Sequence, residues 1–142
     1  IHLIEDACHA LGARYHEAPI GNCAYSDMTV FSFHPVKPIT TGEGGAITTR
    51  DEQLAAKLRL YRSHGITREP AELQQASPGG WYYEQQVLGF NYRLTDIQAA
   101  LGLSQLTRLD ALIASRQARL GAAVDVFKAL GGGWRPVGDK QG

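Results

Sequence analysis

The alternation of short apolar segments with helical patterns constrains the fold of this chain more than any other feature. Residues 1–4, 28–33 and 46–49 are rich in the apolar, β-branched and aromatic residues that buried strands favour. A helix is predicted to begin at Asp51, and another at Thr95, which has a glutamine three residues later in the capping-box position. Strands that alternate with helices and loops indicate an α/β domain. The pattern does not give the order of the strands in the sheet.

The segments between these elements are predicted to form turns, loops and one long helix. Residues 7–11 have the composition of a short helix ended by Gly12, and residues 13–20 that of a small hairpin. The glycine- and proline-containing segments 35–45 and 64–80 are predicted to be loops, and the length of the second is typical of a functional or disordered connection. The long helix carries apolar residues on one side: Leu109, Ile113, Leu120, Val124 and Phe127.

Composition places the chain among ordinary globular proteins and argues against several functions. Hydrophobic residues make up 44%, and the formal net charge is zero, so the basic excess typical of a nucleic-acid binder is missing. No apolar run approaches the ~20 residues of a membrane span, so no membrane partner is predicted. Cys8 and Cys23 fit the reduced thiols of a cytoplasmic protein. Zinc bound with His9, His16 or His34 is the alternative, but the spacings match no zinc motif, and no metal is predicted.

The chain is predicted to consist of one structured unit, residues 1–130, and a flexible glycine-rich tail, residues 131–142. Its first residues already have the character of a buried strand, with no segment leading into it. We therefore expect the sequence to be a fragment of a longer protein or a truncated open reading frame.

Asp6 is a candidate binding residue because it follows an apolar strand. In α/β folds, groups that contact ligands lie at the carboxyl ends of strands. The alternative is that Asp6 caps a short helix that follows it. A polar segment at residues 89–96, just ahead of a helix N-terminus, suits an anion in the same way.

Lys37 is a candidate nucleophile because its neighbours Val36, Pro38 and Ile39 are apolar. A lysine in such surroundings loses hydration, which favours the neutral, nucleophilic amine that Schiff-base chemistry needs. The alternative is a solvated surface lysine. The glycines of residues 42–45 would let the backbone approach a ligand or would simply form a turn.

Taken in this order, the segments resemble the DegT/DnrJ/StrS family of sugar aminotransferases, which are pyridoxal-phosphate (PLP) enzymes of fold type I. The resemblance is carried by the run Ser-Phe-His-Pro-Val-Lys-Pro-Ile-Thr-Thr at residues 32–41, with Gly-Glu-Gly-Gly-Ala after it. A second motif is Gly-Phe-Asn-Tyr-Arg-Leu at residues 89–94, which leads to Gln-Ala-Ala-Leu-Gly at residues 98–102. The resemblance covers well under half of a family member and implies that residues 1–130 are the central part of the PLP-binding large domain.

The resemblance implies roles for five residues. Lys37 would bind PLP covalently as a Schiff base and would move a proton during catalysis. Asp6 would pair with the pyridine nitrogen and keep it protonated, which makes the ring an electron sink. His9 stands where many family members have a glutamine near the ring hydroxyl, and Ser32 matches the serine that binds the phosphate. Asn91 matches a residue that reaches the phosphate of the partner subunit's cofactor, which implies a homodimer with shared sites.

The resemblance implies that the function is PLP-dependent transfer of an amino group from L-glutamate to a nucleotide-linked 4-keto-6-deoxy sugar. One family branch has a histidine in place of the lysine and performs dehydration, so Lys37 favours transamination. The alternative is a truncated, non-catalytic remnant that only dimerises or binds PLP weakly, because the amino-terminal and carboxyl-terminal regions of the family are missing from this sequence.

Overall fold

The computed structural model of this chain describes residues 1–130. The tail predicted at residues 131–142 lies outside the described residues. Seven short strands and three helices follow one another along the described part of the chain. They are β1 Ile4–Asp6, β2 Arg14–Tyr15, β3 Ala18–Pro19, β4 Met28–Ser32, β5 Gly45–Thr48, α1 Glu52–Arg62, β6 Ile66–Thr67, β7 Glu84–Gln85, α2 Asp96–Leu106 and α3 Leu109–Ala129.

A three-stranded sheet in the order β1-β4-β5 forms the centre of the described fold. Strand β1 pairs with β4 in parallel, with Asp6 opposite Val30. Strand β5 pairs with β4 in the antiparallel direction, with Gly45 opposite Ser32. Parallel pairing brings the carboxyl ends of β1 and β4 to the same edge of the sheet, which is where α/β folds bind ligands.

One face of this sheet is packed and the other is open. Thr29 and Phe31 point to the packed face and are almost fully buried, as is Cys23 beside them. The Thr29 hydroxyl donates a hydrogen bond to the Glu5 carboxylate at 2.8 Å. Because side chains alternate along a strand, residues 4, 6, 28, 30 and 32 lie on the opposite face, where Ile4 is largely exposed. The open face therefore carries both Asp6 and Ser32.

Two sequence predictions are wrong: the bounds of the first strand and the presence of a helix at residues 7–11. Strand β1 begins at Ile4 rather than at residue 1, because the Leu3 amide donates to the Asp27 carboxylate at 2.7 Å instead of joining the ladder. Residues 7–11 form turns rather than a helix, with the Ala10 amide bonded to the Ala7 carbonyl at 2.9 Å. The predicted hairpin is confirmed in β2 and β3, although the turn lies at residues 16–17.

The helices begin where the sequence predicts. The Asp51 carboxylate accepts hydrogen bonds from the first amides of α1, and Thr95 and Gln98 form a complete capping box at α2. The loop predicted at residues 64–80 contains β6 and a short 3₁₀ turn at Pro70–Glu72, so part of it is ordered. Within residues 1–130, no helix combines the length and the apolar character that crossing a membrane requires.

Candidate active site

Asp6 is the last residue of β1, and its carboxylate is fixed by the turn that follows. The Cys8 amide donates a hydrogen bond to Asp6 Oδ1 at 3.0 Å. Hydrogen bonds from the thiol and the amide of Cys8 hold the pKa of the Asp6 carboxyl below its usual value, and electrostatic interaction with Lys37 and His9 lowers it further. The bond to Asp6 also raises the pKa of the Cys8 thiol. Asp6 is therefore an exposed, stable anion at the end of a strand.

Lys37 lies in the turn beyond β4 and reaches across to the turn beyond β1. The turn is closed by the Lys37 amide, which donates to the His34 carbonyl at 2.9 Å. Lys37 Nζ lies 2.6 Å from His9 Nε2. When the amine is charged it has only protons to offer, so Lys37 donates and the imidazole accepts. Because β1 ends at Asp6 and His9 lies in the turn that follows, the hydrogen bond between His9 and Lys37 places the amine at the same edge of the sheet as the Asp6 carboxylate.

Ser32 is the last residue of β4 and lies on the open face of the sheet with Asp6. It stands two residues beyond Val30, which pairs with Asp6. Its Oγ accepts a hydrogen bond from the His34 amide at 3.4 Å, which connects it to the turn that holds Lys37. The structure thus brings His9 and Lys37 into contact and places Asp6 and Ser32 at the same edge of the sheet.

Asn91 lies beside the end of α1. It forms an isolated bridge with Ser63, and the amides on either side of it, Phe90 and Tyr92, bond to the carbonyls of Tyr61 and Arg62 at 2.7 and 2.9 Å. The side chain of Asn91 is exposed. These contacts belong to α1 and not to the turn of Lys37, so the role of Asn91 in a partner's site stays a prediction.

Helices α2 and α3 hold the loop around Lys37 through three long side chains that the sequence did not identify as functional. Gln105 accepts a hydrogen bond from the Thr40 amide at 2.8 Å, and Gln98 donates to the Glu43 carbonyl at 3.0 Å. Arg116 donates to the carbonyls of Val36 and Lys37. Of the three, only Gln98 carried a sequence signal, as a helix cap and as the first residue of the family motif at residues 98–102.

The site lies on an open face rather than in a closed cavity. A cavity of about 370 Å³ lies between β1 and the hairpin of β2 and β3, lined by residues that include Leu3, Tyr15 and Tyr25. Neither Asp6 nor Lys37 lines it. The charged cluster, and not this apolar cavity, has the chemistry of a reaction centre.

Comparison with known proteins gives a consistent set of relatives. The model of the DegT/DnrJ/EryC1/StrS aminotransferase family matches residues 1–141. The chain is 46% identical over 117 residues to the UDP-4-amino-4,6-dideoxy-N-acetyl-beta-L-altrosamine transaminase of Campylobacter jejuni. That alignment covers 82% of this chain and 28% of the relative.

Two solved structures resemble the fold closely. PseC of Helicobacter pylori, an aminotransferase involved in the biosynthesis of pseudoaminic acid, matches with a TM-score of 0.75 and 38% identity, over 90% of this chain and 32% of that one. The PLP form of Spr1654 from Streptococcus pneumoniae, assigned as a sugar aminotransferase, matches with a TM-score of 0.73 and 33% identity, over 90% of this chain and 31% of that one. This chain spans about a third of the length of the relatives it matches.

Proposed function

This chain belongs to the DegT/DnrJ/EryC1/StrS aminotransferase family, and we propose that the complete protein is a PLP-dependent aminotransferase that acts on a nucleotide-linked sugar. The observation that carries the proposal is the hydrogen bond between Lys37 and His9, which joins the turns beyond the carboxyl ends of two parallel strands at the edge where β1 ends in Asp6. An imidazole that contacts a primary amine, with a carboxylate at the end of the adjacent strand, is a set of groups typical of a reaction centre.

The residues present fit PLP. A PLP site needs an anion for the ring nitrogen, an amine for the carbonyl carbon and donors for the phosphate. Asp6 supplies the anion, and its pKa is lowered by the Cys8 hydrogen bonds, so it stays ionised. Lys37 supplies the amine, and Ser32 is the hydroxyl on the same face. When bound, PLP supplies an electron sink for the negative charge that develops at the reacting carbon of the substrate.

The chain's own residues would bind, orient and move one proton. The Asp6 carboxylate would hold a positive ring nitrogen by charge and hydrogen bond. Lys37 in its neutral form would take the proton from Cα of the amino donor and deliver it to the cofactor carbon, and in the second half-reaction it would move a proton from that carbon to the acceptor carbon. The imidazole of His9, at 2.6 Å from the amine, would accept a hydrogen bond from Lys37 and hold Nζ in one orientation.

The proposed acceptor is a nucleotide-linked 4-keto-6-deoxy sugar, and the proposed donor is L-glutamate. The names of the relatives support the acceptor, because the Campylobacter jejuni and Helicobacter pylori relatives are both named for an amino-dideoxy sugar on UDP. A role in the biosynthesis of pseudaminic acid is supported by the likeness to PseC. Both cysteines are free thiols, which supports the cytoplasmic location that the sequence predicts.

We also propose a homodimer in which Asn91 completes the partner's phosphate site. The support is the exposed apolar surface of α3, where Leu120, Val124 and Phe127 are all exposed. Burying each of these side chains would contribute roughly 1.5–3 kcal/mol, so association is favoured. Sedimentation of the complete protein at micromolar concentration tests this. A monomer there would contradict both the dimer and the shared site.

The function itself is tested by replacing Lys37 in the complete protein. Lys37→Ala should abolish the visible absorbance that PLP gains when it is bound covalently, together with amino transfer from L-glutamate to the nucleotide sugar. Lys57→Ala, a change at an exposed lysine of α1, is the matched control and should leave both unchanged. A Lys37→Ala protein that keeps the absorbance and the turnover would refute the proposal.

A second experiment distinguishes the enzyme from the non-catalytic alternative. Titration of the isolated 142-residue chain with PLP should give a saturable complex that sodium borohydride traps on Lys37. A folded dimer without such a complex would favour the remnant that only associates.

A further inference from the structure

Arg116 of α3 makes two hydrogen bonds to the backbone of the Lys37 turn, from a position 79 residues further along the chain. Its Nη1 donates to the Val36 carbonyl at 2.8 Å, and its Nη2 donates to the Lys37 carbonyl. The two accepting carbonyls belong to consecutive residues. The side chain itself is exposed, so burial does not explain why it takes this position.

The two carbonyls belong to the peptide planes on either side of the Lys37 Cα atom. The first plane joins Val36 to Lys37, and the second joins Lys37 to Pro38. Because each peptide unit is planar, fixing the direction of both carbonyls fixes φ and ψ of Lys37. Those two angles decide where the lysine side chain leaves the backbone, and therefore whether Nζ reaches His9.

The other residues of the turn do not fix the carbonyl directions on which φ and ψ of Lys37 depend. Pro35 and Pro38 have locked φ angles and carry no N–H group, so they cannot tie the turn down by donating hydrogen bonds. The Lys37 amide does bond to the His34 carbonyl. The next backbone amide with a bond outside the turn is that of Thr40, which donates to Gln105 of α2. Between these two points, Arg116 is the side chain that holds the carbonyls of the turn among residues 1–130.

An arginine suits this task for a geometric reason. The guanidinium group is planar, always charged, and presents its donors as a rigid fork. Two carbonyls that face the same side of a turn match that fork, whereas a lysine ammonium is a point donor that serves one carbonyl well. Helix α3 is anchored nearby, because a Cβ atom built on Gly12 would meet the side chain of Ile113, within one turn of Arg116.

We propose that Arg116 is a positioning residue that sets the backbone geometry of Lys37 and holds the amine against His9. The catalytic consequence rests on the proposed function, but the geometric part does not. The prediction is that loss of the fork slows the chemistry of the Lys37 amine without changing the affinity for the amino donor.

The test compares three variants of the complete protein. Arg116→Met keeps the length of the side chain and removes every donor, and Arg116→Lys keeps one donor group. Arg119→Met changes an exposed arginine of the same helix and is the control. Each protein is incubated with PLP and cyanoborohydride, and the rate of modification of Lys37 is measured by peptide mass. Turnover with L-glutamate gives kcat and KM separately.

Arg116→Met should slow modification of Lys37 and lower kcat by about ten- to a hundredfold, the scale of a ~1 Å misplacement, with little change in KM. Arg116→Lys should recover part of both rates, and Arg119→Met should match the unmodified protein. An Arg116→Met protein with normal rates overturns the inference. If Arg116→Met fails to fold, Arg116→Lys with a normal unfolding midpoint decides: slower modification supports the inference, and an unchanged rate overturns it.

The two proposals fail in different ways. If Lys37 of the unmodified protein does not react with PLP at all, the proposed function fails. If Lys37 reacts equally fast with and without Arg116, the positioning role fails while the function stands.

Discussion

Replacing Gly102 with alanine tests how tightly α2 packs against the loop around Lys37. A Cβ atom at this position would lie 2.9 Å from the Cγ2 methyl of Thr41. Thr41 is only 3% exposed, its hydroxyl donates to the Glu43 carbonyl at 2.8 Å, and its amide donates to the Phe33 carbonyl at 3.0 Å. The methyl group cannot rotate away without breaking the hydroxyl's hydrogen bond, so an alanine at this position would either break this bond or displace α2.

Two effects of opposite sign decide the outcome. A glycine-to-alanine change inside a helix stabilises it by about 0.8–1.0 kcal/mol. Against this, the new carbon would lie well inside the optimum carbon–carbon separation of about 3.5–4.0 Å, and overpacking of a tight contact costs about 1–3 kcal/mol. The overpacking is the larger effect, so we expect Gly102→Ala to be destabilising by about 0–2 kcal/mol.

Gly121 in α3 provides the matched control, because a Cβ atom there meets nothing within 4 Å. Gly121→Ala should therefore show the helix propensity alone and stabilise the protein by up to ~1 kcal/mol. Urea unfolding followed by circular dichroism measures both variants. The difference between them should be about 1–3 kcal/mol, with Gly102→Ala the less stable. If Gly102→Ala is as stable as Gly121→Ala, the close contact between α2 and the loop does not exist in solution.

Three further changes test other parts of the structure. Hydrogen bonds from Cys8 lower the pKa of Asp6, so the stability that the carboxylate contributes is present above its ordinary pKa of 3.8 and is lost as the pH falls through its folded-state pKa. The urea midpoint of the unmodified protein should therefore exceed that of Asp6→Asn by less at acid pH than at neutral pH. A difference that does not change with pH would contradict this. Thr95→Ala removes the capping box of α2 and should cost ~1 kcal/mol in urea unfolding, with Thr95→Ser close to normal. Gly65→Ala should be severely destabilising in the same assay, because Gly65 has a φ of +68° and its Cβ would overlap the Val87 carbonyl; a normal midpoint would exclude this conformation.

The parts of the fold that the sequence predicted depend on local interactions. The capping box was readable because Thr95 and Gln98 bond to each other's backbone within one turn. Strand β4 was readable because its β-branched and aromatic residues are consecutive. The α/β fold class and the family follow from such local patterns, and both are confirmed. The sequence also placed Asp6 at the end of its strand, as the structure has it.

One of the two errors arose where a polar side chain competed with regular structure. Asp27 accepts a hydrogen bond from the Leu3 amide, which removes that amide from the ladder and delays the start of β1. Residues 7–11 form short turns instead of the predicted helix, with the Ala10 amide bonded to the Ala7 carbonyl and the Ala13 amide to the Ala10 carbonyl. Short polar side chains that bond to nearby or distant amides leave no periodic signal, so a pattern of apolar residues alone does not reveal them.

The placement of Asp6 and Lys37 at the same edge of the sheet depends on the pairing of β1 with β4, which the sequence did not reveal. The two strands are parallel, but the segment between them contains the hairpin of β2 and β3 instead of the helix that usually connects parallel strands. A local pattern of this kind does not say that the strands are neighbours. Because the two strands are parallel neighbours, the segments that follow them leave from the same edge of the sheet, where Lys37 contacts His9. The contacts of Arg116 and Gln105 join residues that are far apart in the sequence, since each connects a helix to the lysine loop across at least 65 residues. The identity of the candidate site residues is thus a local property of the sequence, whereas their relative positions depend on the packing of the whole unit. Changes in α2 and α3 should therefore alter how well Lys37 is placed without altering what it is.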